Sequence, residues 1–213
     1  MNAERDLFGG AIAALLPDGW LDASDARPVP DHQEVWLEPD GAERSVIIEI
    51  LERPDCADAE SGALHFQEVA NGNEAVAATV LSSAPVAAGT LHEGLRACPA
   101  YLVRGVQELP RDGKSGGQRL PTGTTAKLHV RMVVLRLAAQ TTDILVTVNR
   151  QVATSAAADG VAPPSSSAEP AAASAASEGG DGVSENDVLA DAELLDSIVG
   201  SLEVRDWGLF GGG

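Results

Sequence analysis

Between residues 126 and 138 the chain alternates strictly and then changes step. Leu128, Val130, Met132 and Val134 take turns with Lys127, His129 and Arg131, after which Leu135 and Leu137 carry the apolar character. A period of two predicts an extended strand with one face turned to a core. The change of step requires either a bulge near Val134 or burial on both faces. Gln140-Thr141-Thr142 then reads as a short hairpin loop into a second strand over residues 143–151.

The remaining pattern fits the same sheet. Residues 44–52 place Val46, Ile48 and Ile50 on one face and Ile47, Glu49 and Leu51 on the other. Residues 33–37 form the strand before it, joined by a turn at Glu38-Pro39-Asp40-Gly41, and residues 101–108 supply a further strand. A helix is expected over 58–70, with Ala59, Ala63, Phe66 and Val69 inward and Asn71-Gly72 ending it. A second is expected over 187–201, where Val188, Ala192, Leu195, Ile198, Val199 and Leu202 recur at helical spacing. Ser184 or Asn186 is placed to cap it. Strands outnumber helices and nothing alternates as βαβ. The fold class is therefore α+β, a mainly antiparallel sheet packed by two principal helices.

Residues 153–186 interrupt this pattern. They are nearly all Ala, Ser, Gly, Pro, Asp and Glu, with no aromatic and no basic residue. Such a stretch has too little apolar surface to offset its ordering entropy, which predicts a disordered insertion. Residues 1–152 then form the main part of one domain, and residues 187–213 complete it with a helix and tail.

Charge narrows the function. Lys and Arg number 14 against 32 Asp and Glu, so the formal charge is 14 − 32 = −18. Nucleic acid and anionic membranes repel such a chain, because binding either needs cations to replace released counterions. Residues 1–60 hold fifteen acids against Arg5, Arg27, Arg44 and Arg53. A basic protein partner is attracted there, unless the acidity serves solubility alone. The first sixteen residues carry Glu4 and Asp6 and resemble no signal or transit peptide, and Arg136 breaks the longest apolar run. Cys56 and Cys98 stand far apart, as expected of reduced thiols in the cytosol or nucleus.

Catalytic motifs fail on inspection. Gly113-Lys114-Ser115 imitates the end of a phosphate-binding loop, but Glu108 stands where its first glycine belongs and Gly116-Gly117 replaces the helix. The same residues match a nucleophile elbow without the strand and helix that an elbow needs. His32, His65, His92 and His129 are scattered at no ligand spacing; His65 is expected on the outer side of its helix and His129 on a polar strand face. No cofactor or metal is expected, and function is expected to lie in a surface.

Several blocks carry a more specific message. They are Leu7-Phe8-Gly9-Gly10-Ala11, then Asp22-Ala23-Ser24-Asp25-Ala26-Arg27-Pro28-Val29-Pro30-Asp31-His32-Gln33-Glu34-Val35, then Val46-Ile47-Ile48-Glu49-Ile50-Leu51-Glu52. His65-Phe66, Leu135-Arg136-Leu137, Thr142-Asp143-Ile144-Leu145-Val146 and a closing Leu209-Phe210-Gly211 follow in order. Together these closely resemble the Ran guanine nucleotide release factor (Mog) family over about three-quarters of the chain. The insertion lies outside the likeness.

The resemblance implies a six-stranded antiparallel sheet between helices, similar to the PsbP photosystem proteins. It implies a monomer that binds the GTPase Ran, engages other Ran-pathway proteins, promotes loss of guanine nucleotide without being an enzyme, and serves nuclear import from nucleus and cytoplasm. It also implies that the Ran-facing surface lies on Glu49 and Glu52, with Glu43 beside them. The adjoining loop supplies Asp25, Arg27, Pro28, Pro30, Asp31, Gln33 and Glu34. These acids also make physical sense. Glu49 shares a face with Ile47 and Leu51, where a dry carboxylate is costly, so a rim position or a basic partner is expected. Glu52 reads equally as a solvated strand end, and Arg27 with Asp31 as an ion pair bracing the Pro28–Pro30 turn. The competing function is an acidic trafficking adaptor for another basic protein.

Overall fold

The computed structural model of the chain describes residues 1–39, 44–111, 114–115, 118–119, 125–153 and 182–211. Strands β1 (Asn2–Leu7) and β2 (Ile12–Pro17) form an N-terminal hairpin. β3 (Leu21–Asp22), β4 (Gln33–Leu37) and β5 (Arg44–Glu52) lead to helix α1 (Asp58–Gly72). β6 (Ala77–Pro85), β7 (Ala100–Pro110), the two-residue ladder of β8 (Lys114–Ser115) with β9 (Gln118–Arg119), β10 (Thr125–Leu137) and β11 (Thr142–Ala153) follow. Helix α2 (Glu185–Ser201) and β12 (Glu203–Val204) close the order. The main sheet runs β3-β4-β5-β11-β10-β7-β6 and is antiparallel throughout. β12 pairs with β2, making a second sheet of three strands.

The fold is the expected α+β class, with seven strands in the main sheet where six were expected. The additional strands are the ones with little apolar alternation. β6 is almost wholly exposed, and β3 is two residues long.

The change of step in β10 is burial on both faces. Its register with β11 runs unbroken from Ala126↔Ala153 to Leu137↔Thr142, and the bulge lies in β6 between Val80 and Ser82. Val130, Met132 and Val134 pack with Phe66 of α1, Val103 and Leu145. Val133, Leu135 and Leu137 join the larger core on the opposite face, with Leu195, Ile198 and Val199 of α2 and Leu7, Ile12 and Leu16 of the N-terminal hairpin. Two covered faces explain why the central strands read as continuous apolar runs.

Both helices match their predicted spans closely, but α1 turns a different stripe inward. Ala59 and Ala63 are exposed, while Ser61, Gly62, His65, Phe66 and Ala70 are buried. Small residues allow this. A Cβ on Gly62 would stand 2.2 Å from Val103, and one on Gly105 of β7 would stand 2.5 Å from the Phe66 ring. The helix therefore lies close on β7, which needs its smallest residues at the contact. His65 consequently faces the sheet, not solvent as expected. α2 is capped by Ser184, whose hydroxyl accepts from the Asp187 amide at 3.2 Å while Asp187 accepts from the Ser184 amide at 3.3 Å. β11 extends to Ala153 and α2 starts at Glu185, so ordered structure intrudes on both ends of the expected insertion. Residues 154–181 lie outside the described residues.

Candidate partner-binding surface

The predicted surface gathers at one end of the main sheet, where β4 begins and β5 ends. Asp22 opens the loop between β3 and β4, its carboxylate accepting from the Ser24 amide at 2.8 Å and starting a tight turn over Ala23–Asp25. The loop is then drawn back to the sheet. Gln33 donates its amide to the Pro30 carbonyl and Ile50 donates to the His32 carbonyl, both at 2.9 Å. Asp31 and His32 thus stand beside the last residues of β5. Asp25, Arg27, Pro28, Pro30 and Asp31 are all exposed. No ion pair joins Arg27 to Asp31 among the described residues, so the expected brace is not what holds this loop; the backbone bonds do that.

Glu52 is exposed at the end of β5. Glu49 is not on the same face. Strand alternation turns it toward the α1 side, where it pairs across from Gln33 and retains 9% of its exposure. The Gln33 side-chain amide donates to Glu49 Oε1 at 2.6 Å. Burial raises the Glu49 carboxyl above its ordinary value, opposed by the Gln33 bond and by the nearby His32 and His65. Glu49 is therefore tied into the fold by Gln33, and of the two expectations, a rim position or a basic partner, its burial speaks against an open rim. Glu43 lies outside the described residues.

Glu34 has a different task. It projects to the opposite face, where its carboxylate accepts the Phe8 backbone N–H. Phe8, Gly9 and Gly10 all have positive φ (51°, 67° and 92°), a tight turn that leaves this amide in need of an acceptor. Burial raises the Glu34 carboxyl, partly offset by the Phe8 bond. Two motif blocks distant in sequence, Leu7-Phe8-Gly9-Gly10 and Gln33-Glu34-Val35, are thereby one structural joint.

A buried ionic network that the residue pattern did not disclose stands behind Glu52. Arg136 and Asp143 sit opposite each other on β10 and β11, 1% and 0% exposed. Arg136 donates through Nε to Asp143 at 3.3 Å, to Asp58 at 2.8 Å, and to the carbonyls of Pro54 and Cys56 at 2.8 and 3.0 Å. His65 bonds the second Asp143 oxygen at 2.9 Å and Glu68 at 3.1 Å. These contacts fix the chain immediately after Glu52, and Arg53 adds a 3.0 Å bond to Asp58. The available signal was Arg136 enclosed by Leu135 and Leu137. A charge inside a two-sided apolar strand must find a partner.

Among the described residues no group of three or more His, Cys, Asp or Glu stands close enough to hold a metal, and no helix is long and apolar enough to cross a membrane. What the geometry offers is a carboxylate-bearing rim, exposed Glu52 and Asp31, at one end of the main sheet.

Comparison with known proteins gives the family. The family described as Ran-interacting Mog1 protein matches residues 5–151. The human Ran guanine nucleotide release factor is 37% identical over 153 residues, 70% of this chain and 77% of that protein. The nuclear import protein mog1 of Schizosaccharomyces pombe is 34% identical over 146 residues, 67% of this chain and 74% of that protein. The crystal structure of the Saccharomyces cerevisiae Ran-binding protein Mog1p superposes with a TM-score of 0.63 at 23% identity, covering 99% of this chain and 98% of that one. The chain belongs to the Mog1 family.

Proposed function

We propose that this protein binds Ran and promotes release of its guanine nucleotide, acting without catalytic chemistry of its own and serving nuclear import from both nucleus and cytoplasm. The observation that carries the reading is the sheet-end rim formed by exposed Glu52 and Asp31, backed by Glu49 and Gln33, in a chain of this family. Glu49 supports it energetically. A carboxylate kept at 9% exposure with a single side-chain donor costs folding free energy, and an incoming cation at the rim would relieve that cost. Asp25, Arg27, Pro28 and Pro30 extend the surface along the loop, where the prolines reduce the ordering cost of binding.

The mechanism is linkage. Ran-type GTPases hold nucleotide through switch segments ordered by phosphate and magnesium. A ligand that prefers the nucleotide-free conformation weakens nucleotide affinity by the same factor by which nucleotide weakens its own. Carboxylates at the rim favour that conformation by taking up a cationic side chain otherwise committed to phosphate.

The test is charge reversal at the exposed positions. Each charge-assisted contact is worth about 1.5–3 kcal/mol, so Glu52→Lys with Asp31→Lys should weaken Ran binding a hundredfold or more while the melting temperature stays near the parent's. Undiminished binding by the folded double variant would move the surface elsewhere.

A further inference from the structure

Away from the rim, on the face of the sheet that carries α2, two arginines stand directly opposite each other: Arg104 on β7 and Arg131 on β10. Like charges at facing positions of adjacent strands repel. Apart from the exposed Arg27 and Arg96, the arginines described elsewhere with their side chains are mostly paired. Arg5, Arg44, Arg53, Arg136, Arg150 and Arg205 each reach a carboxylate within ion-pair distance. Arg104 and Arg131 reach none among the described residues, although both are partly buried. The carboxylate that lines the same cleft is committed elsewhere: Asp191 holds Arg150 through both oxygens at 2.7 Å. Burial, reinforced by Arg104 and only partly opposed by the more distant carboxylates of Asp191 and Asp196, holds the Arg131 guanidinium below its ordinary value.

The two side chains open onto a cleft of about 40 Å³ between β6, β7, β10 and the start of α2, with Leu81 and Val188 as its apolar walls. Ordinary organic ligands and nucleotides take sites of about 300–1,000 Å³, so the cleft has room only for a small group. Two guanidiniums present planar N–H forks that match a tetrahedral oxyanion. The overall charge of −18 does not forbid this, because at physiological salt fields are screened beyond about 8 Å, Asp191 is already paired with Arg150, and Asp196 lies beyond ion-pair distance of Arg131. We infer that Arg104 and Arg131 form a binding site for a phosphate group, separate from the rim proposed for Ran. Arg131 lies five residues from Arg136 on β10, about 17 Å along the strand, so this site and the rim can be occupied independently.

The test uses the full chain, with inorganic phosphate and N-acetyl-O-phosphoserine amide as probes, titrated at constant ionic strength against chloride and read by melting temperature and calorimetry. Saturable stabilisation by a probe is expected, and Arg104→Gln or Arg131→Gln should weaken the fitted affinity about tenfold or more. Arg104→Lys keeps the charge and loses the fork, so it should fall between. Both glutamine variants should fold, since each removes a repulsion. Equal response to the two probes assigns the site to free phosphate; response to phosphoserine amide alone assigns it to a phosphoryl group carried on a chain. No response beyond chloride to either probe overturns the inference. So does an affinity unchanged in the glutamine variants, or one lowered as much by Arg96→Gln, an exposed arginine on another element.

Discussion

Glu49 shows how one buried side chain can be costly to the fold. Its carboxyl is raised by burial, so the folded state binds a proton more readily than the unfolded chain. The associated stability is fully present below the ordinary value near 4.5 and is lost as pH rises through the raised one. Glu49→Gln keeps an acceptor for Gln33 and removes the ionisation. It should melt higher than the parent at pH 7, with the difference shrinking toward pH 4.5 and Ran binding weakened; calorimetric melting across that range checks the sign. Arg136 is the opposite case. Arg136→Ala strands the Asp143 charge in the core, and loss of one partner of a buried pair costs about 3–5 kcal/mol, measurable by denaturant unfolding. The sequence made Glu49 visible because an acid among isoleucines is conspicuous. It did not show that Gln33 would cover it, nor that His65 would turn inward to Asp143, because those partners lie 16 and 78 residues away.

Within the main sheet and α2, legibility followed burial, whereas β2 buries Ile12, Ala13, Ala14 and Leu16 in a run without alternation. β5, β10, β11 and α2 have faces dictated by cores, and their periods stand in the residues. β6 has almost no buried face and β1 buries only Leu7, so neither left an alternation to read. The inward stripe of α1 was misplaced for a related reason: Ser61 and Gly62 look polar or neutral, yet smallness is what the approach to β7 requires. Gly105→Ala places a methyl against Phe66 and the Thr79 carbonyl, at 2.5 and 2.8 Å. Overpacking of this kind costs about 1–3 kcal/mol, and the melting temperature should drop accordingly. Ser184→Ala removes the cap of α2 and should cost about 1 kcal/mol by the same measurement.

At the scale of the whole molecule, a seven-stranded sheet whose central strands are covered on both faces carries the rim of Glu52 and Asp31 at its end, and a charge of −18 favours a basic partner. Association with Ran should therefore weaken as salt rises from about 0.01 to 0.15 M, where the screening length falls from about 30 to 8 Å. The most direct measurement loads Ran with fluorescent guanine nucleotide and follows loss of the label in excess unlabelled nucleotide. The parent chain should accelerate release, saturating with its concentration, and the Glu52→Lys, Asp31→Lys variant should accelerate it far less at equal concentration. A release rate indifferent to the parent chain, or equal for the parent and the folded variant, would contradict the account.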